Sequence, residues 1–183
     1  MAHLALPAAG SRPLGSGFTI LTEFSMTTLT QDPVLTAEAL LRHWQGHRGL
    51  TRRVIEAFPE TELFNFSIGG MRPFATLVQE FLRMSVPTLQ GVATGNWQMV
   101  KSVDAATKAD LLRLWDQDTA EIDRIWPTIP AGRFQEVDTA FGQREGKVYS
   151  LLFYIIDNEI HHRGQGYVYL RALGIEPPPF YER

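Results

Sequence analysis

The sequence predicts an all-α protein, a bundle of four long helices, and three observations carry that expectation. Apolar residues recur at three- and four-residue spacing through four separate segments, the periodicity of one helical face. Breaks marked by Pro and Gly divide those segments. Strand-like alternation is missing; only Phe18-Thr19-Ile20-Leu21 looks extended. A length of 183 residues suits one domain with a substantial core. With 44% apolar and 20% charged residues, the chain has the make-up of a folded globule and not of a disordered tail.

The first helix is expected to begin at Asp32-Pro33, an N-cap followed by proline at the first helical position, and to end before Pro59. Leu40, Trp44, His47, Thr51 and Val54 share one of its faces, with Leu41 and Ile55 alongside. The second opens near Arg72-Pro73 and carries Phe74, Leu77, Val78, Phe81 and Met84, and Pro87 and Gly91 are expected to kink or end it. The third runs from Ser102 or Asp104 to Trp126, with Leu111, Leu112, Trp115, Ile122 and Ile125 as its stripe. A polar loop rich in Gly and Arg is expected over 131–146. The fourth helix spans Lys147 to Leu173 and stops at Gly174, ahead of Pro177-Pro178-Pro179. Gly164 and Gly166 lie inside it, each costing about 1 kcal/mol relative to alanine, so close packing or ligand access must compensate. Residues 1–26 mix Pro, Gly, Ser and Ala without periodicity and lack the basic start and apolar run of a signal peptide. They read as a flexible extension ahead of a helical domain over 27–183.

Composition excludes several chemistries. Without cysteine there is no disulfide, no thiolate–zinc site and no cysteine nucleophile, so any metal must rest on His, Asp, Glu, Asn or water. A net charge of −3 gives no electrostatic reason to expect nucleic-acid binding. No uninterrupted run of about 18 apolar residues is present, so a membrane span is not expected. The expected location is the cytoplasm. The absence of a Gly-x-Ser-x-Gly elbow argues against a serine hydrolase. Ser67-Ile68-Gly69-Gly70 reads as a plain turn, and Trp97, Trp115 and Trp126 as core.

The stretch from Asp157 to Gln165 is the chemically richest. Leu151, Ile155, Asn158, Glu159, His162, Gly166 and Tyr169 form one continuous helical strip pointing into the bundle, whereas His161 lies about 100° away. Buried polar groups need hydrogen bonds or a metal, since an unpaired one costs roughly 2–7 kcal/mol. His162 with Glu159 or Asn158 could present an imidazole nitrogen and an oxygen to zinc, nickel, iron or manganese. A Glu–His or Asn–His hydrogen bond, with Arg163 neutralising Glu159, is the structural alternative. Further ligands must come from other helices: Glu80 beside the apolar face of the second, otherwise paired with Arg83, and His47 on the inward face of the first. His43 stands four residues before His47, a spacing that also suits an exposed helix edge.

His161-His162-Arg163-Gly164-Gln165, Tyr169-Leu170-Arg171, Leu173-Gly174 and Pro177-Pro178 form a terminal motif. With Arg72-Pro73-Phe74, the Gly91 to Trp97 segment and the Trp44 helix, it resembles the DinB-like, YfiT-related family of four-helix proteins over roughly residues 27–183. The resemblance implies an up-down-down-up bundle, often a homodimer, with a divalent metal held by one histidine of the second helix and two histidines four apart on the last. Here His162 is kept, Glu80 aligns near the second-helix position and Asn158 stands four residues before His162. The implied ligands are thus Glu80, Glu159 and His162, assisted by His47 or Asn158. The family also implies a thiol-dependent S-transferase or related detoxification enzyme, acting on a small molecule with a low-molecular-weight thiol as cosubstrate. Arg163 or Arg72 would then bind a substrate carboxylate. The competing reading is a non-catalytic, stress-associated binding or dimerisation protein with a degenerate metal site.

Overall fold

The structure, a computed structural model, describes residues 34–183. The Asp32-Pro33 helix start, the extended run at 18–21 and the extension over 1–26 lie outside the described residues. The first helix, α1 (Ala37–Ala57), starts later than expected because Thr36 supplies its cap, accepting a hydrogen bond of 3.0 Å from the Ala39 amide. A short helix not anticipated from the sequence, α2 (Glu60–Asn65), follows Pro59. The 67–70 segment is a turn in which Gly69 and Gly70 both take positive φ.

α3 (Phe74–Thr94) continues past Pro87 and Gly91 and is capped at Gly95, where φ is 74°. The helix does not end at either residue, and both are buried. Pro87 removes one main-chain bond, and the Trp97 ring packs so tightly on Gly91 that a Cβ there would clash. α4 (Lys108–Ile125) begins after Thr107, whose hydroxyl accepts from the Asp110 amide at 3.1 Å. That cap, rather than Ser102 or Asp104, sets its start. The expected loop over 131–146 is instead a 3-10 turn followed by a hairpin, β1 (Val137–Ala140) and β2 (Arg144–Lys147), paired antiparallel from Val137 opposite Lys147 to Ala140 opposite Arg144. α5 (Val148–Ala172) matches the expected fourth helix to within one residue at each end.

Contacts between helices give their directions. Phe58 at the end of α1 stacks on Phe74 at the start of α3, and Lys108 at the start of α4 bonds the Phe58 carbonyl. Both α3 and α4 therefore run opposite to α1. Gly166, late in α5, lies against Phe74, whereas Met84 meets Asn158, so α5 opposes α3 and runs with α1. The result is an up-down-down-up bundle. Its core divides into two continuous clusters. Val54, Ile55, Phe58, Phe74, Leu77, Val78, Tyr169 and Leu170 pack at one end, and Leu40, Trp44, Leu89, Val92, Ile122, Leu152 and Ile156 at the other. Polar side chains fill the waist between them. No helix among the described residues is long and apolar enough to cross a membrane.

Candidate functional site

The antiparallel packing of α3 against α5 brings Glu80, Asn158 and His162 together. Glu80 Oε1 lies 3.6 Å from His162 Nε2 and accepts a hydrogen bond of 3.4 Å from Asn158 Nδ2. Its other oxygen pairs with Arg72, which stands just before α3, and not with the expected Arg83. Burial raises the Glu80 pKa, but the hydrogen bond and charge of Arg72, joined by Asn158 and His162, outweigh it, so the carboxyl sits below its usual range. His162 Nδ1 lies 3.0 Å from Gln165 Oε1. When Gln165 accepts there, the Nε2 lone pair faces the Glu80 carboxylate. Two electron-rich atoms opposed at that distance call for a proton or a cation between them.

The donor set suits a divalent ion. It offers an imidazole nitrogen, a carboxylate oxygen and an amide whose oxygen replaces its nitrogen on a half-turn of the side chain. Among the described residues no three His, Cys, Asp or Glu side chains form one metal-ligating group, so a third donor for an ion here would have to be Asn158. Arg72 and Gln165 orient the carboxylate and the imidazole from outside, as the outer partners of metal ligands commonly do.

Two of the expected ligands belong elsewhere. Glu159 is buried and accepts from Thr51 Oγ1 at 2.5 Å, with Arg163 Nη1 at 3.8 Å. Burial raises its pKa against the opposing charges of Arg48 and Arg163. It directly follows Asn158 in the helix, and that 100° step turns it toward α1 instead of α3. His47 faces two arginines: Arg163 Nη2 lies 2.9 Å from Nδ1 and Arg183 Nη1 lies 3.0 Å from Nε2. Burial, then the charges of Arg163, His43 and Arg183, lower its pKa to about 3. A ring so engaged has no nitrogen to offer a metal. The same network occupies Arg163, and Glu80 occupies Arg72, so neither expected substrate-binding arginine stands free. His43 and His161 are exposed, and Trp115 and Trp126 are core.

Beside Glu80 opens a cleft of about 520 Å³ between α3, α5, the hairpin and the segment leading to α4. Met84, Val100, Phe141, Leu151, Tyr154 and Ile155 supply its apolar wall. Phe141 turns the hairpin with φ at 52°, a left-handed conformation unusual for a bulky residue, and packs edge-on against Trp97 at 5.4 Å. Thr88 also lines the cleft, and its buried hydroxyl has no protein partner. Arg83 and Arg144 complete the lining. Reading the hairpin as a loop hid these residues; Phe141-Gly142, a turn pair between Val137-x-Thr139 and Arg144, was the available signal.

Solved structures share the fold, among them two from Bacillus. A DinB-like protein from Bacillus subtilis superposes with a TM-score of 0.66 at 23% identity, covering 79% of this chain and 97% of that one. A DinB-like protein from Bacillus cereus ATCC 10987 gives 0.63 at 15% identity with the same coverage of each chain. No curated protein matches the chain. The DinB family model matches residues 26–183, which take in the five α-helices of the described residues and the cleft: the chain belongs to the DinB family.

Proposed function

We propose that the chain holds a divalent metal ion on Glu80, His162 and Asn158 and acts on a small molecule seated in the adjoining cleft. The observation that supports this is the opposed pair of Glu80 Oε1 and His162 Nε2 at 3.6 Å, each oriented by an outer partner. Transfer of a low-molecular-weight thiol is the reaction class that the family resemblance supplies. A bound ion would contribute stabilisation of the thiolate. Arg72 keeps Glu80 ionised and aimed, Gln165 selects the His162 tautomer, and the apolar wall excludes water. A homodimer belongs to the same proposal, and sedimentation of the full chain checks it.

The test is elemental analysis of untagged protein together with melting in zinc, nickel and manganese. A native-state ligand at a hundredfold its Kd adds about 2.7 kcal/mol of stability. A metal-dependent rise in melting temperature is expected in the native sequence and not in His162→Ala or Glu80→Gln. A chain that stays metal-free and melts identically in all three ions refutes the site.

A second reading has its own support, because the Arg72 ion pair already neutralises Glu80. On that reading the cluster is a polar network of a non-catalytic binding protein. His162→Ala would then lose about 1–3 kcal/mol from unsatisfied groups, with or without metal.

A further inference from the structure

We propose that the cleft beside Glu80 takes an organic acid, a molecule with an aromatic or branched apolar body and a carboxylate gripped by Arg83 and Arg144. This deepens the proposed function by naming its substrate class, but it needs no metal. The volume of about 520 Å³ falls within the roughly 300–1,000 Å³ of small-molecule pockets. The wall is built of methionine, aliphatic and aromatic side chains from three directions, which suits a compact apolar body.

The charges are unbalanced in a specific way. Glu80 is the lone carboxylate among the lining residues, and Arg72 has already paired with it from outside the cleft. Among the described residues neither Arg83 nor Arg144 forms a salt bridge, although Arg133 nearby pairs with both Glu136 and Asp138. The Arg144 guanidinium lies over the Tyr154 ring, 4.3 Å from its centroid, which holds the planar fork at the cleft wall without consuming its donors. Two unmatched forks on an apolar cleft select an anion with a hydrophobic body. A planar carboxylate fits such a fork by two parallel hydrogen bonds.

The experiment is calorimetric titration of the full chain, freed of metal with EDTA, against phenylacetate, 4-phenylbutyrate and 2-naphthoate, the corresponding primary amides, and inorganic phosphate. At least one acid should saturate, binding about tenfold or more tightly than its amide. Arg83→Gln or Arg144→Gln should remove most of that preference at unchanged melting temperature, and His162→Ala should retain it. Equal binding of acid and amide, phosphate binding as tight as the acids, no binding by any acid, or full binding by both arginine variants would each overturn the inference. Acid binding without any metal-induced melting shift would leave it standing while the metal site fails, and the reverse result would do the opposite.

Discussion

Two arginines meet the His47 ring, and burial beneath them lowers its pKa to about 3 from an ordinary 6.5. A neutral imidazole accepts at one nitrogen only, so one arginine faces an N–H and protonation is opposed from both sides. The native state therefore binds fewer protons than the unfolded chain between those values. Stability from this group is present above pH 6.5 and is lost as pH falls toward 3, by up to about 1.4 kcal/mol per pH unit. Asp118 acts the opposite way. Burial raises its pKa to about 6 despite the charge of Arg48, so stability falls as pH climbs from 3.8 through 6. Melting curves of the native chain and His47→Gln between pH 4 and 7 separate the two, since the variant should lose the acid-side decline and keep the Asp118 contribution. The Thr51 hydroxyl that donates to Glu159 is a second test. Thr51→Val leaves that buried carboxyl short of a donor and should cost about 1–3 kcal/mol in chemical denaturation. None of this was visible in residue types alone: His47 and Glu159 carry metal-ligand chemistry on inward faces, and only their neighbours assign them to a structural network.

Within α5 the two interior glycines have opposite roles. A Cβ on Gly166 would lie 2.6 Å from the Phe74 ring, so this residue is what lets α5 approach α3. Gly164 has no neighbour near its missing Cβ. Gly166→Ala should destabilise by about 1–3 kcal/mol through overpacking, while Gly164→Ala should stabilise by up to about 1 kcal/mol through helix propensity. Paired thermal melts of the two variants give the comparison. Close approach was one of the two compensations the sequence offered for these glycines, and it applies to Gly166 alone. Helix bounds were legible where a local signal sets them, as at Gly174 for α5 and Pro59 for α1. An end at Pro87 or Gly91 did not follow, since α3 continues to Thr94, and the hairpin went unread because β1 and β2 are too short and too polar to show alternation.

Arg48 joins three helices across the waist between the two apolar clusters. Its guanidinium lies 3.9 Å from the centre of the Trp115 ring, Nε donates to Thr119 at 2.7 Å, Nη1 reaches Ser85 at 3.4 Å, and Nη2 stands 2.9 Å from Asp118. Asp118 and Glu159 both depend on that fully buried charge. Arg48→Ala should therefore cost about 3–5 kcal/mol, the penalty of leaving buried carboxyls uncompensated. Arg48→Met with Asp118→Leu should recover much of it, as read from urea midpoints. Four helices, their inward faces and the residues able to do chemistry followed from the chain alone, because periodicity, caps and breakers act over a few neighbouring positions. Partner choice did not. A one-residue step on α5 turns the side chain by 100°, sending Asn158 to Glu80 and Glu159 to Thr51. Only the rotation and register of packed helices choose between those outcomes, and the cleft exists only because a hairpin far along the chain folds back over α3 and α5.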